Sequence, residues 1–201
     1  MKHTTPNTSR RLLLLASLLV PVLAQSQVIT LTNSDALGNS SFNTIGNWDS
    51  GAAPAAGNNY VTSTNVLRTP ADSANYFFAG SSLTLQAPVV ASSSSLLLKG
   101  LTNNLYSFNN LTGSNGIVYA AGASTQTYGI FGSTVLTTNT TLTVNSANGP
   151  INLNGPISGP GGLTVSGYTT TLNGSNSLSG ATTVSSGTLK AGAGPVVMPF
   201  S

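Results

Sequence analysis

Three aspartates and three cations hold all the ionic chemistry that the body of this chain offers. They are Asp35, Asp49 and Asp72, with Arg68, Lys99 and Lys190. Paired carboxylates hydrolyse glycosidic bonds when they are held at the right separation. These acids lie 14 and 23 residues apart, so no local motif pairs them. Each also sits in a turn-like stretch: "NSDALGN", "GNWDSG" and "TPADSAN". A short acid in such a stretch commonly bonds its own backbone. Lys99 or Lys190 could activate a serine, but in a Ser-rich chain that pairing has no specificity. The "GPGG" at residues 159–162 lacks the Lys-Ser/Thr ending and helix pattern of a phosphate cradle, and reads as a turn.

Other chemistries lack their residues. The one histidine is His3, and beyond residue 24 there is no His, Cys or Glu. Zinc ligation and histidine-assisted nucleophiles are thereby excluded. Calcium wants several carboxylates close together, and none cluster here. No catalytic, cofactor-binding or metal residue is expected, and no cofactor. Without cysteine there is no disulfide framework, so packing and backbone hydrogen bonds must hold the fold.

The N-terminus is an export signal in form. Lys2, Arg10 and Arg11 make a basic start, and "LLLLASLLVPVL" follows as an apolar run of 12 residues. A spanning helix needs about 20. Val22 and Ala24 are the small or permissive residues of a cleavage site, which predicts a signal peptide over residues 1–24 cut after Ala24. "SRRLLL" touches the twin-arginine pattern, but two arginines in an ordinary basic start explain it as well. Cleavage removes three of the six basic residues, and the remaining three cations balance three acids. A neutral chain without a basic stripe is not a nucleic-acid binder. An exported chain, extracellular or at the outer cell surface, is the expectation.

Charged residues are 4% of the chain, yet 39% is hydrophobic. Disordered chains show the reverse balance. Short alternating runs recur instead: "SLTLQ", "TLTVN", "INLNG", "GLTVSG" and "TTTLNG". Alternation places one row of side chains inside and one outside, so the chain reads as all-β with short strands. Gly, Asn, Ser and Pro punctuate the runs as turns.

A repeat organises these strands. Leu142-Thr143-Val144, Leu153-Asn154-Gly155 and Ile157-Ser158-Gly159 are followed by Leu163-Thr164-Val165, Leu172-Asn173-Gly174 and Leu178-Ser179-Gly180. The offsets of 21, 19 and 21 residues match one coil of a β-solenoid. Each coil would stack on the last, its inward side chains forming ladders. A Thr-rich run such as "TTNTT" raises an ice-binding face, but no regular Thr-x-Thr ladder is legible from coil to coil.

Residues 158–192, "SGPGGLTVSGYTTTLNGSNSLSGATTVSSGTLKAG", resemble the autotransporter-associated β-strand repeat of bacterial surface proteins. The ordered phrases are Gly161-Gly162-Leu163, Leu172-Asn173-Gly174-Ser175-Asn176, Gly180-Ala181-Thr182-Thr183-Val184 and Gly187-Thr188-Leu189. Departures are Ser179, where the family often has Thr after an aromatic, and Ser166-Gly167 in place of a Lys-x-Gly step. "GNWDSGAAPAAGNNYV", residues 46–61, is similar to the segment that often precedes the first coils. The resemblance implies an extracellular passenger region, a right-handed parallel β-helix, and no catalytic residues.

The expected organisation is a signal over 1–24, an N-terminal β cap and first coils over 25–80, solenoid coils over 81–192, and a tail over 193–201. No room is left for an outer-membrane barrel, so a membrane link is expected only through a missing anchor, and the tail reads as a truncation. Three functions fit to different degrees. One is a non-catalytic structural or adhesin scaffold, with host or matrix glycans or proteins as partners and self-association through the solenoid ends. Another is a carbohydrate-binding module, with Trp48 as a sugar-stacking platform; a Trp covering the open end of the first coil is the alternative for that residue. The third, a polysaccharide-cleaving β-helix enzyme, lacks the acids and cations to line a face. Tyr76-Phe77-Phe78 read as core or cap packing.

Overall fold

The computed structural model describes residues 1, 25–34, 42, 44–86, 94–120, 126–144, 150–192, 194 and 196–197. The cleavage residue Ala24, Asp35 and most of the tail lie outside the described residues. Every regular element described is a strand. In chain order they are β1 (Val28–Thr30), then β2 (Asn59–Val61), β3 (Leu67–Arg68) and β4 (Tyr76–Phe78). Next come β5 (Ser82–Gln86), β6 (Leu96–Leu98), β7 (Leu105–Ser114), β8 (Ile117–Ala120) and β9 (Tyr128–Leu136). They are followed by β10 (Thr140–Val144), β11 (Ile151–Leu153), β12 (Ile157–Gly159), β13 (Leu163–Gly167) and β14 (Thr169–Leu172). The last are β15 (Asn176–Leu178), β16 (Thr182–Val184), β17 (Thr188–Ala191) and β18 (Val196–Val197).

These strands stack as a parallel β-solenoid with three faces. The first face runs β1, β2, β5, the second half of β7, the second half of β9, β12, β15 and β18. The second runs β3, β6, β8, β10, β13 and β16. The third runs β4, the first halves of β7 and β9, then β11, β14 and β17. β7 and β9 turn the corner between the third and first faces without a break, so those two faces form one sheet.

Strand parity then sorts the side chains. Ile29, Tyr60, Leu83, Leu111, Thr134 and Ile157 stack inward on the first face. Leu67, Leu96, Val118, Leu142, Val165 and Val184 do so on the second. All are buried except Val184, which is 42% exposed because no described residue lies over it. Each buried aliphatic side chain contributes roughly 2 kcal/mol of transfer free energy.

Coil length falls along the chain. A step takes 31 residues from Ile29 to Tyr60, 23 from Thr134 to Ile157 and 19 from Ser158 to Ser177. The wide early coils are filled with rings: Trp48 on Tyr60 at 4.9 Å, Phe42 on Phe78 at 5.3 Å and on Phe108 at 5.9 Å. The narrow later coils are filled by Leu, Ile, Val and Thr. Between the two regimes an apolar cavity of about 20 Å³ lies among Leu85, Leu111, Leu136 and Leu153, with Thr134 and Thr140 beside it.

The register corrects the sequence-based alignment of the repeat. Leu153 does stack on Leu172, 19 residues on. Leu142, however, stacks on Val165 rather than Leu163, and Gly159 rather than Ile157 stacks on Leu178. Both errors are slips of two residues. A slip of two keeps every side chain on its own face, so alternation cannot detect it.

Corners tolerate little beyond glycine where coils touch backbone to backbone. Gly132 has φ +101°, and a Cβ there would lie 1.8 Å from the Phe108 carbonyl oxygen. Gly155 sits directly on it: its Cβ would lie 1.8 Å from the Gly132 oxygen. Gly174 repeats the contact at 2.1 Å from the Gly155 oxygen. Backbone cannot yield as a side-chain tip can. We expect Gly155→Ala to lower stability by about 2–3 kcal/mol. Gly57→Ala, at φ +89° but with open space around it, should cost only about 1 kcal/mol. Urea unfolding followed by circular dichroism measures both, and equal costs would contradict the stacked corner.

Candidate functional site

Chain topology gathers the polar chemistry at the corner between the second and third faces of the first coils. Arg68 ends β3 and Lys99 follows β6, which stacks directly on it. Thr69 joins the two coils: its hydroxyl donates to the Tyr106 hydroxyl at 3.1 Å and accepts the Lys99 N–H at 2.9 Å. Burial, and then the nearby Arg68 charge, lowers the Lys99 ammonium below its ordinary range. Burial likewise raises the Tyr106 phenol. The Tyr128 hydroxyl donates to the Gly100 carbonyl at 2.8 Å.

Asp72 occupies the same corner with both carboxylate oxygens engaged. Oδ1 accepts the Ala74 N–H at 2.9 Å, closing a local turn. Oδ2 accepts the Tyr76 hydroxyl. Asn104, fully buried, donates its Nδ2 to the Asp72 and Ala74 carbonyls and accepts the Thr102 N–H at 3.0 Å through Oδ1. An acid held this way fixes a loop, and its lone pairs are already occupied. Asp49 lies elsewhere, in an exposed turn whose N–H donates to Thr30 at 2.9 Å.

Trp48 is 1% exposed, so no sugar ring can reach its face. This corrects the stacking role considered for it. Leu31 and Trp48 form an antiparallel bridge, which folds residues 47–49 back along β1. The indole then packs edge-on against Tyr60 at 80° and lies 6.0 Å from Phe78. It fills the N-terminal end of the core.

The outer faces differ from one another. On the second face Thr141 stacks on Thr164 and Thr164 on Thr183, while Thr143 stacks on Ser166. A short threonine ladder therefore exists where none was legible, because the two-residue slip had hidden it. On the third face the outward column reads Phe77, Ser107, Phe131, Asn154 and Asn173. Of the Tyr76-Phe77-Phe78 trio, Phe78 is buried and Phe77 is 55% exposed. Strand parity is the signal that could have separated them.

Among the described residues, no group of three His, Cys, Asp or Glu side chains could hold a metal ion, and no helix is long and apolar enough to cross a membrane. Comparison with protein-family models, curated proteins and solved structures finds no match to the chain. The autotransporter-like resemblance thus rests on the quoted phrases alone.

The polar corner has a pH signature. The Asp72 hydrogen bond, followed by burial, pushes the Tyr76 phenol up to about 12, against about 10 in an unfolded chain. The folded state favours neutral Tyr76, so this stabilisation is complete below pH ~10 and disappears as pH rises through the folded value. Tyr76→Phe should be less stable than the parent at pH 8, with the gap closing at high pH. Denaturant unfolding across that range checks it, and a gap independent of pH would contradict the assigned bond.

Proposed function

We propose that the chain is a non-catalytic β-solenoid, exported to the cell surface or the medium, that serves as a passenger-like scaffold or adhesin stalk. The carrying observation is the in-register stack itself. It presents continuous columns of Ser, Thr, Val and Asn on its outer faces and engages Asp72, Tyr76 and Asn104 in holding one corner. Such a stack derives stiffness from backbone hydrogen bonds running along its axis and needs no disulfide. The basic start, apolar run and Ala24 cleavage site support export. The phrases in residues 158–192 support the passenger-like reading.

Expression in a bacterial host with the native N-terminus tests both halves of this reading. The exported protein should begin at Gln25 by N-terminal sequencing, and the purified chain should release no reducing ends from polysaccharides. A full-length cytoplasmic product would overturn the export reading. Steady cleavage that vanishes in Asp72→Asn would overturn the non-catalytic one.

A further inference from the structure

The third face carries a feature that a bare scaffold does not require. Phe77 is 55% exposed, Phe131 is 38% exposed and Leu105 is 39% exposed. Phe77 stacks on Ser107, and Ser107 on Phe131. The two rings therefore stand two rungs apart, ~9.6 Å at the spacing of neighbouring strands. Leu105, Phe131 and Asn154 converge over Gly129, where a Cβ would lie 2.8 Å from Leu105 Cδ2 and 3.1 Å from both Phe131 Cε2 and Asn154 Nδ2. The missing side chain at Gly129 lets these groups form one low surface.

Amides border the rings. Asn152 and Asn154 follow in the next coil, and Asn173 donates its Nδ2 to Asn154 Oδ1 at 2.8 Å. The neighbouring outward column reads Leu105, Gly129, Asn152, Thr171 and Lys190. Among the described residues, these two columns carry no ionisable side chain before Lys190. A nucleic acid would need cations here. A protein partner would favour a contiguous apolar centre, whereas Ser107 interrupts this one. A pyranose chain matches both properties, because its C–H faces stack on single rings and its hydroxyl edges bond to amides. In an extended β-linked chain, alternate sugars repeat on about the scale of two rungs.

We propose that Phe77, Phe131 and Leu105, with Ser107, Asn152 and Asn154, form a binding platform for a neutral, extended β-linked polysaccharide. The platform lies on a different surface from the buried Trp48 and uses none of the groups at the polar corner. It goes beyond the scaffold reading, which stands whether or not a glycan binds.

Cello-, xylo- and manno-oligosaccharides titrated calorimetrically into the exported chain test the platform. At least one should bind, and Phe77→Ala and Phe131→Ala should each weaken it about 3- to 10-fold. Phe131→Tyr should retain binding, as should Tyr168→Ala, which removes an exposed ring outside the two columns. Thermal melts by circular dichroism will show that each variant folds as the parent does. Three results would overturn the proposal: no binding of any of these glycans, binding indifferent to both Phe substitutions, or a dimer in sedimentation equilibrium that both substitutions dissolve.

Discussion

Parallel backbone stacking is the constraint on which everything else in this molecule depends. Each residue lies ~4.8 Å from its counterpart one coil away, whatever lies between them in sequence. That distance admits ladders of apolar side chains inside and ladders of small polar ones outside. At the corners it brings carbonyl oxygens so close that Gly132, Gly155 and Gly174 must lack a Cβ. The glycine abundance of the chain follows from geometry rather than from flexibility. The near absence of charge has the same origin, since like charges stacked in a ladder repel.

The taper of the coils connects packing to function. Early coils enclose more area, and Trp48, Tyr60, Phe78 and Phe108 occupy it. Their longer loops also carry Asp72, Lys99 and Asn104, which tie one coil to the next. Later coils lose those loops and with them the ionic groups, leaving bare rungs with Thr and Asn outside. The small cavity lies where the ring-filled core gives way to the aliphatic one. The exposed rings Phe77 and Phe131 belong to the early, decorated part, on the side where Asn154 and Asn173 begin a plain ladder.

Much of the architecture was legible because alternation survives in every strand. "SLTLQ" and "TLTVN" reveal their inner Leu and Val, and the phrase repeat reveals coils. Register was not legible, since Leu142, Leu163 and Val165 are interchangeable as inward residues and a two-residue slip leaves the pattern intact. The polar corner was hidden for another reason: residues 68, 72, 99 and 104 meet only because coils stack. Trp48 was ambiguous in sequence because a Trp in a Gly-flanked turn suits a surface platform or a core plug. The bridge to Leu31 turns it inward. Phe77 was misjudged as packing because a run of three aromatics conceals the parity of the strand.

Stacking in this register is the central claim, and a chain with no native cysteine allows it to be tested by cross-linking. Thr141 and Thr164 are direct partners on adjacent coils, while Thr143 and Thr164 are partners only in the register that the sequence repeat suggests. Two double-cysteine variants, Thr141→Cys with Thr164→Cys and Thr143→Cys with Thr164→Cys, can be oxidised under identical mild conditions. Disulfide formation, followed by mass spectrometry, should be rapid for the first pair, whose Cα separation suits the bond, and poor for the diagonal pair. Preferential bridging of the second pair, or of neither, would contradict the stacked solenoid described here.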